Sequence, residues 1–276
     1  MNGINGLSGW QWLVILEGIP ACAAGLVVLL ILPDYPESAR WLIDEEKELA
    51  RERVRFCGSS ADDMAITWVD AKETLTEWRL YFHYLLHFLI STPFSSLSLF
   101  APTRVAGLGY TSLSAELMTI PPYAVAYVVS LVVSWSADRF NSRSLHAAVC
   151  ALFCAAGFIA SATLSPDAYV ARYICLVIST TFVFSPVPSL LSFLASNTHT
   201  TASTDLAVAL NVSIGGGAGL ILGTWIFPAG EAKNGYKSGN WINAGFMLAI
   251  SVVCVALRIY YGRANRLKEH KRKFVL

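Results

Sequence analysis

The residues best suited to chemistry in this 276-residue chain are few, and most stand at the ends of apolar runs. Asp138, Arg139 and Arg143 crowd one short polar interval, Ser134-Trp-Ser-Ala-Asp-Arg-Phe-Asn-Ser-Arg143. An acid and bases at a membrane boundary can form a charge-assisted hydrogen-bond network that breaks when helices rock. They can equally be the basic residues that hold a loop in the cytosol. Glu17 lies about one turn into an apolar run, where a carboxylate is costly unless it faces protein, water or headgroups. A proton acceptor for coupled transport is one use for it, and a place near the outer interface is the plainer one. His83 and His87 are four apart and share a helix face. That spacing could hold a metal or relay a proton. With no glutamate between them and no third ligand in view, polar histidines at the interface are the simpler reading, and no metal or cofactor is implied.

Asn211, Gly215, Gly219 and Gly223 recur every fourth residue and leave one side of a helix nearly bare. Such a stripe lets another helix approach closely, or leaves room for a substrate with Asn211 as hydrogen-bond donor. Prolines interrupt apolar runs at Pro93, Pro121-Pro122, Pro186 and Pro188. Each removes a backbone donor, which a membrane helix tolerates where neighbours or water resatisfy the backbone, often beside a cavity. Pro93, Tyr123, Pro186, Asn211, Gly215 and Gly219 are therefore candidate cavity residues, with structural kinks and packing as the alternative. Cys22, Cys150, Cys154, Cys175 and Cys254 lie in apolar segments as small packing residues, Cys57 lies in a loop, and no disulfide framework follows.

The elements that must position these residues are seven apolar stretches: Trp12–Leu32, Tyr81–Ala101, Leu117–Trp135, Leu145–Leu164, Tyr169–Ala195, Ala207–Phe227 and Trp241–Tyr261. Each has about 20 residues, enough to cross a hydrocarbon core of about 30 Å as a helix. A membrane interior offers the backbone no water, so a spanning segment must satisfy its own hydrogen bonds, as a helix does. Hydrophobic residues make up 55% of the chain and charged residues 14%, far below the ~25% of a soluble domain. Mean hydropathy is +0.52. The fold class expected is an all-α, multi-pass membrane helical bundle. A net charge of +1 gives no reason to expect nucleic acid as a partner.

Basic residues set the orientation. Arg40, Lys47, Arg51, Arg53, Arg55, Lys72 and Arg79 fall in the first long loop, Arg139 and Arg143 in the next cytosolic turn, and Arg263, Arg266, Lys268, Lys271, Arg272 and Lys273 in the tail. The other side holds only Arg104, Arg172, Lys233 and Lys237. The positive-inside rule then puts the first helix's N-terminus outside and the C-terminus in the cytosol. No Lys or Arg within a span is assignable as an anion ligand, since Arg172 and Arg258 lie near helix ends where snorkelling accounts for them. In the long loop, Asp44-Glu-Glu-Lys-Glu-Leu-Ala-Arg-Glu-Arg-Val reads as a surface helix with acids in its first turn and bases later. Thr67–Trp78 reads as an interfacial helix anchored by Trp68 and Trp78.

Several stretches carry a family resemblance. Gly9-Trp-Gln-Trp-Leu-Val-Ile-Leu-Glu-Gly18, with Leu32-Pro-Asp-Tyr-Pro-Glu-Ser-Ala-Arg-Trp-Leu42, resembles the sixth helix and central-loop start of major facilitator superfamily transporters. Phe100-Ala-Pro-Thr-Arg-Val-Ala-Gly-Leu-Gly-Tyr110 resembles the outer end of helix seven, and Leu117-Met-Thr-Ile-Pro-Pro-Tyr-Ala-Val-Ala126 the start of helix eight. Ser134–Arg143 resembles the loop motif Gly-x-Leu-x-Asp-Arg-x-Gly-Arg-Arg, with Ser134, Asn141 and Ser142 in place of two glycines and one arginine. The nearest branch in character is the fungal anion:cation symporters, permeases of allantoate, nicotinate and pantothenate. The resemblance implies that Asp138, Arg139 and Arg143 act in gating. It also implies that the transported species is a small organic anion, moved with protons. Such transporters have twelve helices in two halves with the substrate between them, and this chain resembles helices six to twelve.

The expected organisation is a helix over 1–32, a cytosolic loop over 33–80, a six-helix bundle over 81–262 and a basic cytosolic tail over 263–276. It sits in a plasma membrane or other cellular bilayer. A chain resembling half of such a machine also admits a truncated, non-transporting or regulatory product, one that pairs with a missing N-terminal half or with its own copies. A seven-helix receptor is a remote alternative: the first cytosolic loop is too long, and no Asn-Pro-x-x-Tyr pattern marks the last helix. An enzyme is not expected, because no nucleophile–base constellation is present.

Overall fold

A computed structural model of the chain describes residues 6, 8–33, 38–56, 67–109, 112–198, 201–267 and 274–275. Cys57 and most of the basic tail lie outside the described residues. Those described are helical, without a strand, and divide into two compact units, Met1–Asp62 and Asp63–Leu276.

The first unit holds α1 (Gly9–Ile31) and α2 (Asp44–Phe56). The backbone N–H of Ser8 donates to Gln11 Oε1 at 2.8 Å, which meets one donor at the mouth of α1. From Val14 to Ile31 nothing in α1 is buried, so a surface apolar but for Glu17 is turned outward. In α2, Asp44, Glu45 and Glu46 occupy the first turn as the macrodipole prefers, and Glu46 accepts from the Ile43 backbone N–H.

The second unit begins with α3 (Trp68–Thr76), a shorter helix than the sequence suggests. The chain breaks at Glu77, so Trp78 opens α4 (Trp78–Ala106) instead of closing α3. Next come α5 (Ser112–Leu117), α6 (Ile120–Arg139), α7 (Arg143–Thr163), α8 (Tyr169–Phe184) and α9 (Val187–Ser196). Then come α10 (Thr201–Leu210), a π-helical segment over Asn211–Gly216, α11 (Gly217–Gly223), a 3₁₀ turn over Ala229–Asn234 and α12 (Lys237–Leu267). Among the described residues, seven spans are long and apolar enough to cross a membrane: α1, α4, α5–α6, α7, α8–α9, α10–α11 and α12.

The prolines do three different things. Pro121 and Pro122 fall in the first turn of α6, where their missing N–H groups need no partner. Pro93 sits inside an unbroken α4. Pro186 stands between α8 and α9, with Pro188 in the first turn of α9.

α7 is the central helix of this unit and packs on α12 and α8. Its buried face is made of small residues, Ala147, Ala148, Ala151, Ala155 and Gly157 among them, and small faces let membrane helices approach closely. A Cβ on Gly157 would come within 2.7 Å of Ser179 Oγ on α8. Larger side chains fill the core around this face, including Leu86, Leu97, Phe158, Phe193, Met247 and Ile250. α6 exposes Tyr127, Val128, Leu131, Val132 and Trp135, the composition of a surface that meets lipid or another bundle.

Candidate gating network and polar interior

α6 ends at Arg139 and α7 begins at Arg143, so the chain must reverse in three residues. Asn141 makes this possible by adopting φ 45°, in the left-handed region that asparagine tolerates better than most residues. This is the position at which the resembling motif has its second glycine. The reversal brings Arg143 back over Asp138: its Nε and Nη2 donate to Asp138 Oδ1 at 3.0 and 2.9 Å. Its Nη1 turns the other way, donating to the Ser192 carbonyl at 3.3 Å and to the Ser196 hydroxyl in the last turns of α9. α12 joins the same place, where Arg258 Nη1 donates to Ser142 Oγ at 2.7 Å. His146 closes the network. One ring nitrogen, Nδ1, lies 2.7 Å from the Ser142 carbonyl, and Nε2 lies 2.9 Å from Ser136 Oγ. A carbonyl only accepts, so Nδ1 carries a proton and donates to it. Asp138 and Arg143 are thus brought together, while Arg139 is exposed and outside the network.

The candidate cavity residues fall into two places. Around the α8–α9 break, Phe184 packs on Phe94 at 4.4 Å and edge-on to Tyr123 at 5.4 Å between ring centroids. Tyr123 therefore lies against the end of α8, and Pro93 and Pro186 adjoin the packed Phe94 and Phe184 in sequence. Asn211, Gly215 and Gly219 lie elsewhere, on the other side of α4. A Cβ on Gly215 would stand 2.7 Å from the Tyr84 carbonyl, and one on Gly219 would stand 2.6 Å from the Phe88 carbonyl. Gly223 repeats the contact against Thr92 and Ser95. Of the two uses the sequence left open for this stripe, the structure displays close helix packing. Asn211 starts the π-helical segment, is 2% exposed, and leaves Oδ1 buried without a partner.

Three expectations need correction. His83 is not a surface histidine. His83 is buried, with Nε2 3.1 Å from Tyr261 Oη and its ring on Phe193, while His87 faces Gly215 and Gly216. Arg172 and Arg258 do not merely snorkel. Arg172 donates to the Gly235 carbonyl at 2.7 Å, and Arg258 reaches Ser142. The placement of Arg104 in a segment outside the spans is also overturned. α4 runs to Ala106, and Arg104 is 8% exposed inside the bundle. Its Nη2 donates to Ser161 Oγ at 3.2 Å and Asn240 Oδ1 at 3.1 Å, and the guanidinium lies 5.0 Å from the Phe227 ring centroid. Glu17 is exposed on α1.

The buried interior is polar for so apolar a chain. Ser91, Thr92, Ser95, Ser96, Ser179, Thr180, Thr181, Ser185, Asn240 and Asn243 are all buried. Asn243 donates to Ser96 Oγ at 3.0 Å, joining α12 to α4. Membrane-length helices around a polar interior, tied by hydrogen bonds at the ends of α6, α7, α9 and α12, are those of a multi-pass integral membrane protein. The chain belongs to the Major Facilitator Superfamily, whose profile matches residues 2–212. It is 56% identical over 266 residues to the MFS transporter prlL of Fungal sp. (strain NRRL 50135), covering 96% of this chain and 54% of that protein. It is 27% identical to the major facilitator-type transporter hxnP of Emericella nidulans, over 98% of this chain and 53% of that one. It is 30% identical to a protein of Agrobacterium vitis named "Putative tartrate transporter", over 59% of this chain and 36% of that one. The chain spans about half the length of the first two relatives.

Proposed function

We propose that the protein moves a small organic anion across a membrane together with protons, as part of a major facilitator transporter of the anion:cation symporter type. The observation that carries the transport reading is the Arg143 tie. One guanidinium holds the α6–α7 turn and the end of α9, so a change in their spacing must break charge-assisted bonds. In this reading Asp138 and Arg143 hold one gating state. Tyr123, Pro93 and Pro186 flank the joint that bends, and Asn211 is the proposed hydrogen-bond donor to substrate. The anion assignment is supported by the motif resemblance and by the tartrate name of one relative. Glu17 is the proposed proton acceptor, because it is the carboxylate within α1's apolar run.

The proposed organisation keeps α1 as the sixth helix, 33–80 as the cytosolic connector, 81–262 as the C-terminal bundle and the basic tail in the cytosol. The test is uptake of labelled tartrate, nicotinate, allantoate and pantothenate by the intact parent transporter, with and without a pH gradient. Saturable uptake of at least one anion, raised by an acid outside and lowered in Glu17→Gln, is expected. Transport of neutral sugars alone would refute the branch assignment, and uptake indifferent to the gradient would refute proton coupling.

A further inference from the structure

At the bundle end formed by the C-termini of α4 and α7 and the N-termini of α8 and α12, two arginines face one small cavity. Arg104 and Arg172 line it with Ser161, Tyr236, Leu176 and Gly107, and the space is about 20 Å³. Among the described residues no carboxylate forms a salt bridge with either guanidinium. Arg104 spends Nη2 on Ser161 and Asn240, and Arg172 spends Nη1 and Nη2 on the Pro166 and Gly235 carbonyls. Those partners are all neutral. Arg104 Nη1 and Arg172 Nε remain buried without an acceptor.

The arrangement is built into the backbone. Gly235 adopts φ 73°, and any Cβ there would collide with the Arg172 guanidinium. Asn240 Nδ2 also donates to the Gly235 carbonyl, at 3.2 Å, so the loop, α8 and α12 are locked around the pair. Two cations beside one cavity, without an acid, repel each other and leave a buried charge uncompensated, which is expensive away from water. A neutral water would satisfy a donor and leave the charge.

We propose that this end of the bundle binds one monatomic anion, of the size of chloride or bromide, between Arg104 and Arg172. The volume sets the size. It is little more than the ~10–15 Å³ that one water-sized occupant needs, which suits a single small ion better than a bulkier carboxylate. The site lies within a single bundle and does not depend on the transport reading.

The purified 276-residue chain, in detergent micelles, is heated in sodium chloride, sodium bromide, sodium acetate or sodium gluconate at one ionic strength, with tryptophan fluorescence as readout. Chloride and bromide should raise the unfolding midpoint saturably by about 5 °C over gluconate, as binding to the folded state alone requires. Acetate should give little of that rise. Arg172→Gln and Gly235→Ala should remove most of it. Arg104→Gln removes a buried anchor and is the variant at risk of not folding. Chloride NMR line broadening in wild type against Arg172→Gln is therefore the second measurement, and the excess broadening should vanish in the variant. Equal midpoints in chloride and gluconate, a halide effect that Arg172→Gln retains, or equal effects of acetate and chloride would overturn the assignment.

Discussion

Arg143 and Asp138 form a pair of unequal members, and the inequality decides which of them matters more. The Asp138 side chain is 64% exposed and that of Arg143 19%. An ion pair so open to solvent contributes about 0–1 kcal/mol, whereas the bonds Arg143 makes to α9 are partly buried and cost more to lose, about 1–3 kcal/mol when partners are left unpaired. Asp138→Asn should therefore leave the thermal midpoint of the purified chain nearly unchanged, and Arg143→Ala should lower it by several degrees. An Asp138→Asn midpoint as low as that of Arg143→Ala would show that the ion pair, and not the tie to α9, carries the stability. The pairing of Asp138 with Arg143 was legible in the sequence because both residues lie in one short reversal. The bonds of Arg143 to α9 and of Ser142 to Arg258 on α12 were not, since 49 and 116 residues separate the bonded positions. Arg104 was missed for a more local reason. Ending the apolar run at Ala101 put it in a loop, and the helix runs five residues further, to Ala106, so a loop cation becomes a buried one.

The joints between helices depend on the same small residues that the sequence marks as bare. Gly215, Gly219 and Gly223 press the π-helical segment and α11 against the backbone of α4. The atoms that would oppose a new Cβ at Gly219, the Phe88 carbonyl and Ser91 Cβ at 2.6 and 2.7 Å, belong to backbone or to the root of a side chain, and neither can swing away. Gly219→Ala should destabilise the bundle by about 1–3 kcal/mol, the usual cost of overpacking. Gly217→Ala, two residues away on the same helix, would meet nothing within 4 Å. It should be neutral or stabilising by up to about 1 kcal/mol, because alanine is the better helix former. Thermal unfolding of the two variants side by side checks this, and equal midpoints would mean that the stripe does not seat on α4. The spans themselves were plain from composition, because each must be long and apolar to cross a bilayer. The break at Pro186 and the π-helical turn at Asn211 were only partly visible. Proline marks where a helix can break, and Pro93 shows that it need not. Nothing in Asn211-Val-Ser-Ile-Gly-Gly216 announces a wider turn.

Transport by alternating access needs two bundles that rock around a site between them. This chain supplies one polar-cored bundle, from Asp63 onward, and in α1 one further membrane-length helix. Its relatives are about twice as long, with 54% of the fungal prlL transporter matched. Buried serines, threonines and asparagines give the bundle an interior that suits a polar solute, yet α6 turns an almost wholly apolar surface outward. A single bundle of this kind can hold a solute against one wall and cannot close over it. The 276 residues reconstituted by themselves in liposomes should therefore show no saturable, proton-driven uptake of candidate anions. Co-reconstitution with the half of the prlL transporter that this chain does not match should restore uptake, and Arg143→Ala should reduce it by about tenfold or more if the tie to α9 must form in each cycle. Saturable uptake by the chain alone, lost in Arg143→Ala, would show instead that two copies of this bundle face each other and build the site between them.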